Sequence, residues 1–265
     1  MTDHRGGAVL HEALSKAPQA TLMFWLVKIC ATTVGETGGD ALSMTLNLGY
    51  ATATLIFLAF FAVTMGLQVR AHRYHPIIYW LVVVATTTVG TTTSDFFDRS
   101  LHFGYVLSSA ILFGAVLVVL AAWKLTTGAI RADKIVGRKD EVFYWLTILV
   151  SNTLGTALGD FTADDTGLGL GFEKGAILFG VLILLVALVH WRKWAPQPVL
   201  FWAAYVLTRP LGATLGDTLT KPVAMEGLNL DRFAATGGIV AVMVVLVLLS
   251  KKLREPAKIA AMEPA

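Results

Sequence analysis

The sequence predicts an all-α, polytopic membrane protein with eight transmembrane helices, arranged as four parallel two-helix repeats with both termini in the cytoplasm. Three observations predict it: the composition, the spacing of the apolar segments and a fourfold internal repeat. Of the 265 residues, 55% are hydrophobic and 15% are charged, and the mean hydropathy is +0.68. Soluble chains carry about a quarter charged residues. The composition therefore excludes a disordered chain, a disulfide scaffold and a nucleic-acid-binding protein.

Eight apolar segments follow a polar N-terminal segment, residues 1–20, which lacks the features of a cleaved signal peptide. A helix needs about 20 apolar residues to cross a bilayer. We predict spans at 21–40, 48–69, 76–95, 101–124, 141–160, 172–193, 197–217 and 230–252. The repeats then cover residues 21–75, 76–125, 141–195 and 196–252, with a cytoplasmic linker at 126–140 and a cytoplasmic tail at 253–265.

The basic residues predict the orientation of these spans. Fifteen of the 21 Lys and Arg residues lie at the termini or in the loops after even-numbered spans. The others are Arg99, Lys174, Lys221 and Arg232 in the remaining loops, and Lys28 and Arg209 within spans. Because cytoplasmic loops carry the excess of basic residues, both termini are predicted to be cytoplasmic.

One motif occurs four times, always on an odd-numbered span. Each copy has a Trp ten residues before a Gly, and an Asp five residues after that Gly. The copies are Trp25–Asp40, Trp80–Asp95, Trp145–Asp160 and Trp202–Asp217. Two spans return the chain to its starting side, so the copies run parallel and their Asp residues share one depth in the outer half of the bilayer. Whether the copies form a ring or two facing pairs stays open.

The acidic residues of the motif lie on a polar helical stripe. In the first copy Thr33, Glu36, Thr37 and Asp40 follow the spacing i, i+3, i+4, i+7. Charged groups at this depth are costly, so they are expected to face the bundle interior. Carboxylates and hydroxyls without Cys or His form an oxygen site, which suits Mg²⁺, Ca²⁺ or Mn²⁺. The predicted ligands are Glu36, Asp40, Asp95, Asp160, Asp217, Thr33, Thr37 and Thr92.

The fourfold unit resembles a bacterial repeat family known as domain of unknown function 347, whose members carry four tandem two-span repeats, each with a characteristic Trp. The resemblance covers about residues 20–252 and implies eight helices in a bacterial inner membrane, without an established activity. Separately, residues 35–40, GETGGD, resemble the E-x-G-D-[KR]-[ST] motif of a manganese and calcium exchanger family. They depart from it by an extra Gly and by Ala41 in place of Lys or Arg.

We therefore expect a transporter of a small cation, with Mn²⁺ as the favoured ion and export as the favoured direction. Coupling to protons stays open, as does association into a homo-oligomer. The expected partners are the cation and the lipid bilayer, with no cofactor and no enzymatic activity. Two alternatives remain: an intramembrane enzyme that uses Asp95, Asp98 and His102 from the outer side, or a non-catalytic membrane scaffold. The part played by Asp164 and Asp165, also on the outer side, stays open.

Overall fold

The computed structural model describes residues 18, 20–71, 73–130 and 137–260, and side chains as far as residue 250. Most of the predicted N-terminal segment (1–17 and 19), the middle of the predicted linker (131–136) and the last five residues of the predicted tail (261–265) lie outside the described residues. Nothing in the fold therefore bears on these predictions.

The described residues are α-helical, with no β-strand among them. Short π-helical turns, Ala41–Thr45 and Phe96–Ser100, continue the first and third helices, and a 3₁₀ turn covers Val223–Met225. The eight α-helices are α1 (Leu22–Asp40), α2 (Tyr50–Arg70), α3 (Pro76–Asp95), α4 (Gly104–Thr127), α5 (Arg138–Ala163), α6 (Phe172–Trp191), α7 (Gln197–Thr220) and α8 (Arg232–Ala260). This confirms the all-α class, and the helices coincide with the eight predicted segments apart from a few residues at most ends and eight at the end of α8, which continues to Ala260.

Six of these helices are long and apolar enough to cross a membrane: α2, α3, α4, α5, α6 and α8. The other two, α1 and α7, carry charged residues along their length, including Lys28 and Glu36 on α1 and Arg209 on α7. All three of these side chains are buried inside the protein.

The four odd-numbered helices form a closed inner ring. Helix α1 packs against α3, α3 against α5, α5 against α7, and α7 back against α1. Each even-numbered helix packs outside the ring, on the odd-numbered helix of the next repeat: α2 on α3, α4 on α5, α6 on α7, and α8 on α1. The motif copies therefore surround one central axis, which decides between a ring and two separate pairs.

The glycine of each motif copy allows this close packing. A Cβ atom added at Gly90 would lie 3.0 Å from backbone atoms of the next ring helix, and one at Gly155 would lie 2.5 Å from Arg209 Cγ. In every copy the obstructing residue stands three positions before the glycine of the next copy. These residues are Thr87, Asn152, Arg209 and Thr32, facing Gly35, Gly90, Gly155 and Gly212 respectively. One repeated contact thus closes the ring from repeat 4 back to repeat 1.

The outer helices turn apolar side chains away from the ring. Leu55, Val118, Leu184 and Leu248 are each more than 60% exposed. Polar residues concentrate instead on the ring helices, where the motif carboxylates of Asp40, Asp95, Asp160 and Asp217 are all buried. A polar interior within an apolar exterior is the arrangement that a bilayer requires.

Candidate cation site on the ring axis

Aromatic side chains close the axis near the N-terminal ends of the ring helices. Each motif copy has an aromatic residue eleven positions before its glycine. These residues are Phe24, Tyr79, Tyr144 and Phe201. The Tyr79 and Tyr144 hydroxyls lie 3.0 Å apart, and the Phe24 and Phe201 ring centroids lie 6.2 Å apart. The four motif Trp residues pack against the same cluster. This end of the ring is an apolar layer with one buried hydroxyl pair.

Lys28 follows one turn further along the axis. Its side chain is fully buried, and its ammonium lies 4.3 Å from the centroid of the Tyr205 ring. The Nζ atom has no hydrogen-bond partner among the described residues. The cation–π contact is the interaction that the structure offers to this charge.

Arg209 fills the centre of the ring. Its Nη2 atom lies 2.9 Å from Glu36 Oε2, 2.5 Å from Thr91 Oγ1 and 2.6 Å from Thr156 Oγ1. These three residues are equivalent: each directly follows its motif glycine. The fourth equivalent is Ala213, whose side chain is too short to reach the axis. Arg209, one turn earlier on the same helix, thus joins repeat 4 to the other three repeats.

The motif Asp residues form the next level, where Lys221 bridges two of them. Its Nζ atom lies 3.1 Å from Asp40 Oδ2 and 3.0 Å from Asp217 Oδ1. All three side chains are nearly inaccessible to solvent. A buried ion pair remains stable only when its geometry satisfies the charges, as the ammonium between two carboxylates does here.

The other two motif Asp residues are bound differently. Asp95 Oδ1 lies 3.2 Å from Arg99 Nε. Asp160 has no ion-pair partner among the residues that the structure describes. The Oδ2 atoms of Asp95 and Asp160 and the Oδ1 atom of Asp40 are buried without hydrogen-bond partners. Because buried polar atoms are normally satisfied, these oxygens are candidates for binding a ligand.

Three of the predicted ligands come together between repeats 1 and 4. Carboxylate oxygens of Glu36, Asp40 and Asp217 lie within 4.8 Å of one another. Such a set of oxygens fits a hard cation such as Mg²⁺, Ca²⁺ or Mn²⁺. Arg209 and Lys221 already pair with the same carboxylates, so a bound cation has to replace at least part of these contacts.

The predicted Thr ligands are hydrogen-bonded within the protein. Thr33 and Thr92 donate hydrogen bonds to carbonyl oxygens of their own helices. Thr37 does the same and also accepts a hydrogen bond from Thr236 on α8. The hydroxyls that reach the axis are those of Thr91 and Thr156, which contact Arg209.

A cavity of about 430 Å³ opens at the C-terminal end of the ring. The residues four positions after the motif Asp residues all line it: Met44, Arg99, Asp164 and Lys221. Asp164 accepts hydrogen bonds from Thr166 and Tyr105. Partial burial raises the pKa of the Asp164 carboxyl, but these hydrogen bonds outweigh it and leave the pKa below its usual value. The cavity is the mouth of the site.

The sequence interpretation placed Arg99 and Lys221 in outer loops and gave them no role. Their positions in the sequence nonetheless indicate such a role, because each stands four residues, about one helical turn, after a motif Asp. Of the outer-side residues considered for an enzyme, Asp98 hydrogen-bonds Ser94 and Ser108, and His102 is exposed.

Comparison with known proteins agrees with this fourfold architecture. No curated protein and no solved structure is significantly similar to the chain. A family model described as a repeat of unknown function, DUF347, matches four times, at residues 23–74, 78–129, 143–194 and 200–255. Each match spans one ring helix and the outer helix that follows it. The chain therefore belongs to the DUF347 repeat family.

Proposed function

We propose that this protein is an integral membrane transporter of a small cation, with Mn²⁺ as the favoured ion and export as its direction. The observation that carries the proposal is the buried carboxylate group of Glu36, Asp40 and Asp217 on the axis of a closed helical ring. Burying carboxylates inside an apolar protein is costly, and a purely architectural role does not require their charge.

Lys221 supplies the physical basis for reversible binding. Its ammonium lies between the two carboxylates that a divalent cation would use. In our proposal the ion displaces Lys221 from Asp40 and Asp217, and Lys221 returns when the ion leaves. The negative charges of the carboxylates are then compensated in both states, by the ion when it is bound and by Lys221 when it is absent. This lowers the energetic cost of the empty state.

The charges around the mouth favour a divalent ion. Five carboxylates lie at this end of the axis, those of Asp40, Asp95, Asp160, Asp217 and Asp164. Three basic residues accompany them: Arg99, Lys221 and Arg232. When all of these groups are ionised, the carboxylates exceed the basic residues by two, an excess of negative charge that one Mn²⁺ would neutralise. Protonation of a carboxylate that lacks a cationic partner, such as Asp160, offers a route for proton coupling.

The proposed setting is the bacterial inner membrane, with all eight helices spanning it and both termini in the cytoplasm. The charged side chains of the ring helices α1 and α7 are buried inside the protein, so both helices can span the membrane despite their polarity. The distribution of Lys and Arg supports the orientation. In this orientation the cavity of about 430 Å³ faces outward.

We propose transport and no enzymatic activity. In support of this proposal, two serine hydroxyls bind the Asp98 carboxylate, and in the described part of the chain no hydrogen bond joins it to His102. A scaffold role would tolerate neutral residues at Glu36, Asp40 and Asp217, which the following experiment examines.

The test is ion flux into proteoliposomes for Mn²⁺, Ca²⁺, Mg²⁺, Zn²⁺, K⁺ and H⁺. Three proteins are compared at equal reconstitution: the wild type, Asp40→Asn, and the control Asp165→Asn, which removes an exposed charge from an outer loop. We expect Mn²⁺ flux in the wild type and the control, and none in Asp40→Asn. Equal Mn²⁺ flux in wild type and Asp40→Asn, or none in either, would contradict the proposal.

A further inference from the structure

The cavity at the mouth of the ring is far larger than a metal ion needs. Its volume of about 430 Å³ lies in the range of small-molecule sites, whereas one water molecule occupies about 30 Å³. Tyr105, Phe172 and Met225 form part of its wall. A wall of this kind suits a ligand with a carbon skeleton better than a bare or hydrated ion.

Three polar side chains of the cavity lining are basic, and each of them also lies within 4 Å of a motif carboxylate. Arg99, Lys221 and Arg232 line the cavity, and their side chains are 30%, 6% and 23% exposed. Arg232 Nε is buried without a hydrogen-bond partner, although it lies 3.8 Å from Asp40 Oδ2. Three basic side chains from repeats 2 and 4 thus converge on one space.

The one acidic side chain in the cavity lining is already satisfied. Asp164 Oδ1 accepts hydrogen bonds from the backbone and the hydroxyl of Thr166, and Oδ2 accepts one from the Tyr105 hydroxyl. Its oxygens are therefore held by the protein, whereas the guanidinium groups of Arg99 and Arg232 each have five N–H donors, more than their contacts within the protein use. Guanidinium groups match carboxylates in charge and in planar geometry.

The mouth consequently has two layers of opposite sign, with basic groups at the rim and the motif carboxylates beneath. A bare cation matches only the lower layer, and a simple anion matches only the rim. A cation held by a small carboxylate ligand matches both, with the metal toward Asp40 and Asp217 and the carboxylates toward Arg99 and Arg232.

We infer that the cavity is a binding site for a small polycarboxylate and that the cation enters as its complex with such an anion. The inference rests on the proposed function for the role of the acidic layer, but the anion site itself does not depend on transport. The rim recognises the carboxylates and delivers the metal to the site between repeats 1 and 4.

The first experiment measures anion binding without any metal, by the thermal unfolding of the purified full-length protein in detergent. The probes are citrate and, as a separate arm, inorganic phosphate. We expect citrate to raise the melting temperature of the wild type, with an apparent Kd at least about tenfold weaker in Arg232→Gln and largely restored in Arg232→Lys. The control Arg192→Gln removes an exposed basic group outside the cavity lining and is expected to match the wild type.

No citrate effect in the wild type, or equal effects in Arg232→Gln and Arg192→Gln, would overturn the inference. An effect of phosphate as large as that of citrate would also overturn it, since the site would then recognise small anions in general rather than polycarboxylates.

The second experiment separates this inference from the proposed function. Mn²⁺ flux is measured while citrate is increased and the free Mn²⁺ concentration is held constant. Flux that rises with the concentration of the complex supports the inference. Flux that depends on free Mn²⁺ alone overturns the inference and leaves the proposed function intact. Citrate binding without any Mn²⁺ flux contradicts the proposed function and keeps the anion site.

Discussion

The pair of Arg209 and Glu36 gives the sharpest structural prediction, because it joins residues that are 173 positions apart. The two side chains are 0% and 3% exposed, and their Nη2 and Oε2 atoms lie 2.9 Å apart. Removing one member of a buried ion pair costs about 3–5 kcal/mol, since the other charge stays buried without compensation. We expect Arg209→Met and Glu36→Gln each to lower the free energy of unfolding by about this amount.

The two variants are also expected to be coupled, because each removes one member of the same buried contact. The double variant removes both charges and is expected to lose less than the sum of the single variants, with a coupling energy of at least about 2 kcal/mol.

The assay is equilibrium unfolding in mixed micelles with increasing SDS, followed by the fluorescence of the ring Trp residues. A control cycle pairs Arg209→Met with Asp165→Asn, which changes an exposed residue in the loop between α5 and α6, and should be additive. Additive losses for Arg209→Met and Glu36→Gln would refute the reasoning, because two residues that share one buried contact cannot be independent.

Three further predictions concern the ring and its hydroxyls. Gly155→Ala is expected to lower the free energy of unfolding by about 1–3 kcal/mol in the same SDS assay, because its Cβ meets Arg209, whereas Gly180→Ala, which meets nothing within 4 Å, should not. Tyr79→Phe should lower the free energy of unfolding by about 1–3 kcal/mol, because it leaves the buried Tyr144 hydroxyl unpaired. The double variant with Tyr144→Phe should recover most of this loss, and no recovery would contradict the contact. Thr37→Val and Thr92→Val should leave Mn²⁺ affinity unchanged in calorimetric titration, because their hydroxyls donate to carbonyl oxygens of their own helices. A tenfold loss of affinity would show that they are ligands.

Much of the architecture follows from the spacing of a single motif. The interval from Trp to Gly to Asp predicts parallel helices that carry the four Asp residues at one depth, and the helices of the structure agree. The sequence does not reveal that the ring closes, because closure depends on which helix faces each glycine. That pairing is a tertiary contact, as between Gly212 and Thr32, and leaves no local pattern.

The site could be predicted in part for a similar reason. The acidic stripe correctly places Glu36, Asp40 and Asp217 inside the protein, since charges in an apolar span need an interior face. Thr37 contacts Thr236 on the outer helix α8, whereas Thr91 reaches the ring axis. Helical spacing alone cannot distinguish these two positions, because a polar stripe about four residues wide covers both directions. The bridge that Lys221 forms between repeats 1 and 4 could not be predicted from the sequence either, since its partner Asp40 lies 181 residues away.

The most direct test of the account is Mn²⁺ binding to the wild type and to two variants, measured by calorimetric titration of the purified protein. If a cation and the Lys221 ammonium compete for the carboxylates of Asp40 and Asp217, Lys221→Met should bind one Mn²⁺ at least about tenfold more tightly than the wild type, a gain of about 1.4 kcal/mol. Asp217→Asn should abolish that binding. Lys221→Met that binds Mn²⁺ no better than the wild type, or binding that survives in Asp217→Asn, would contradict the account.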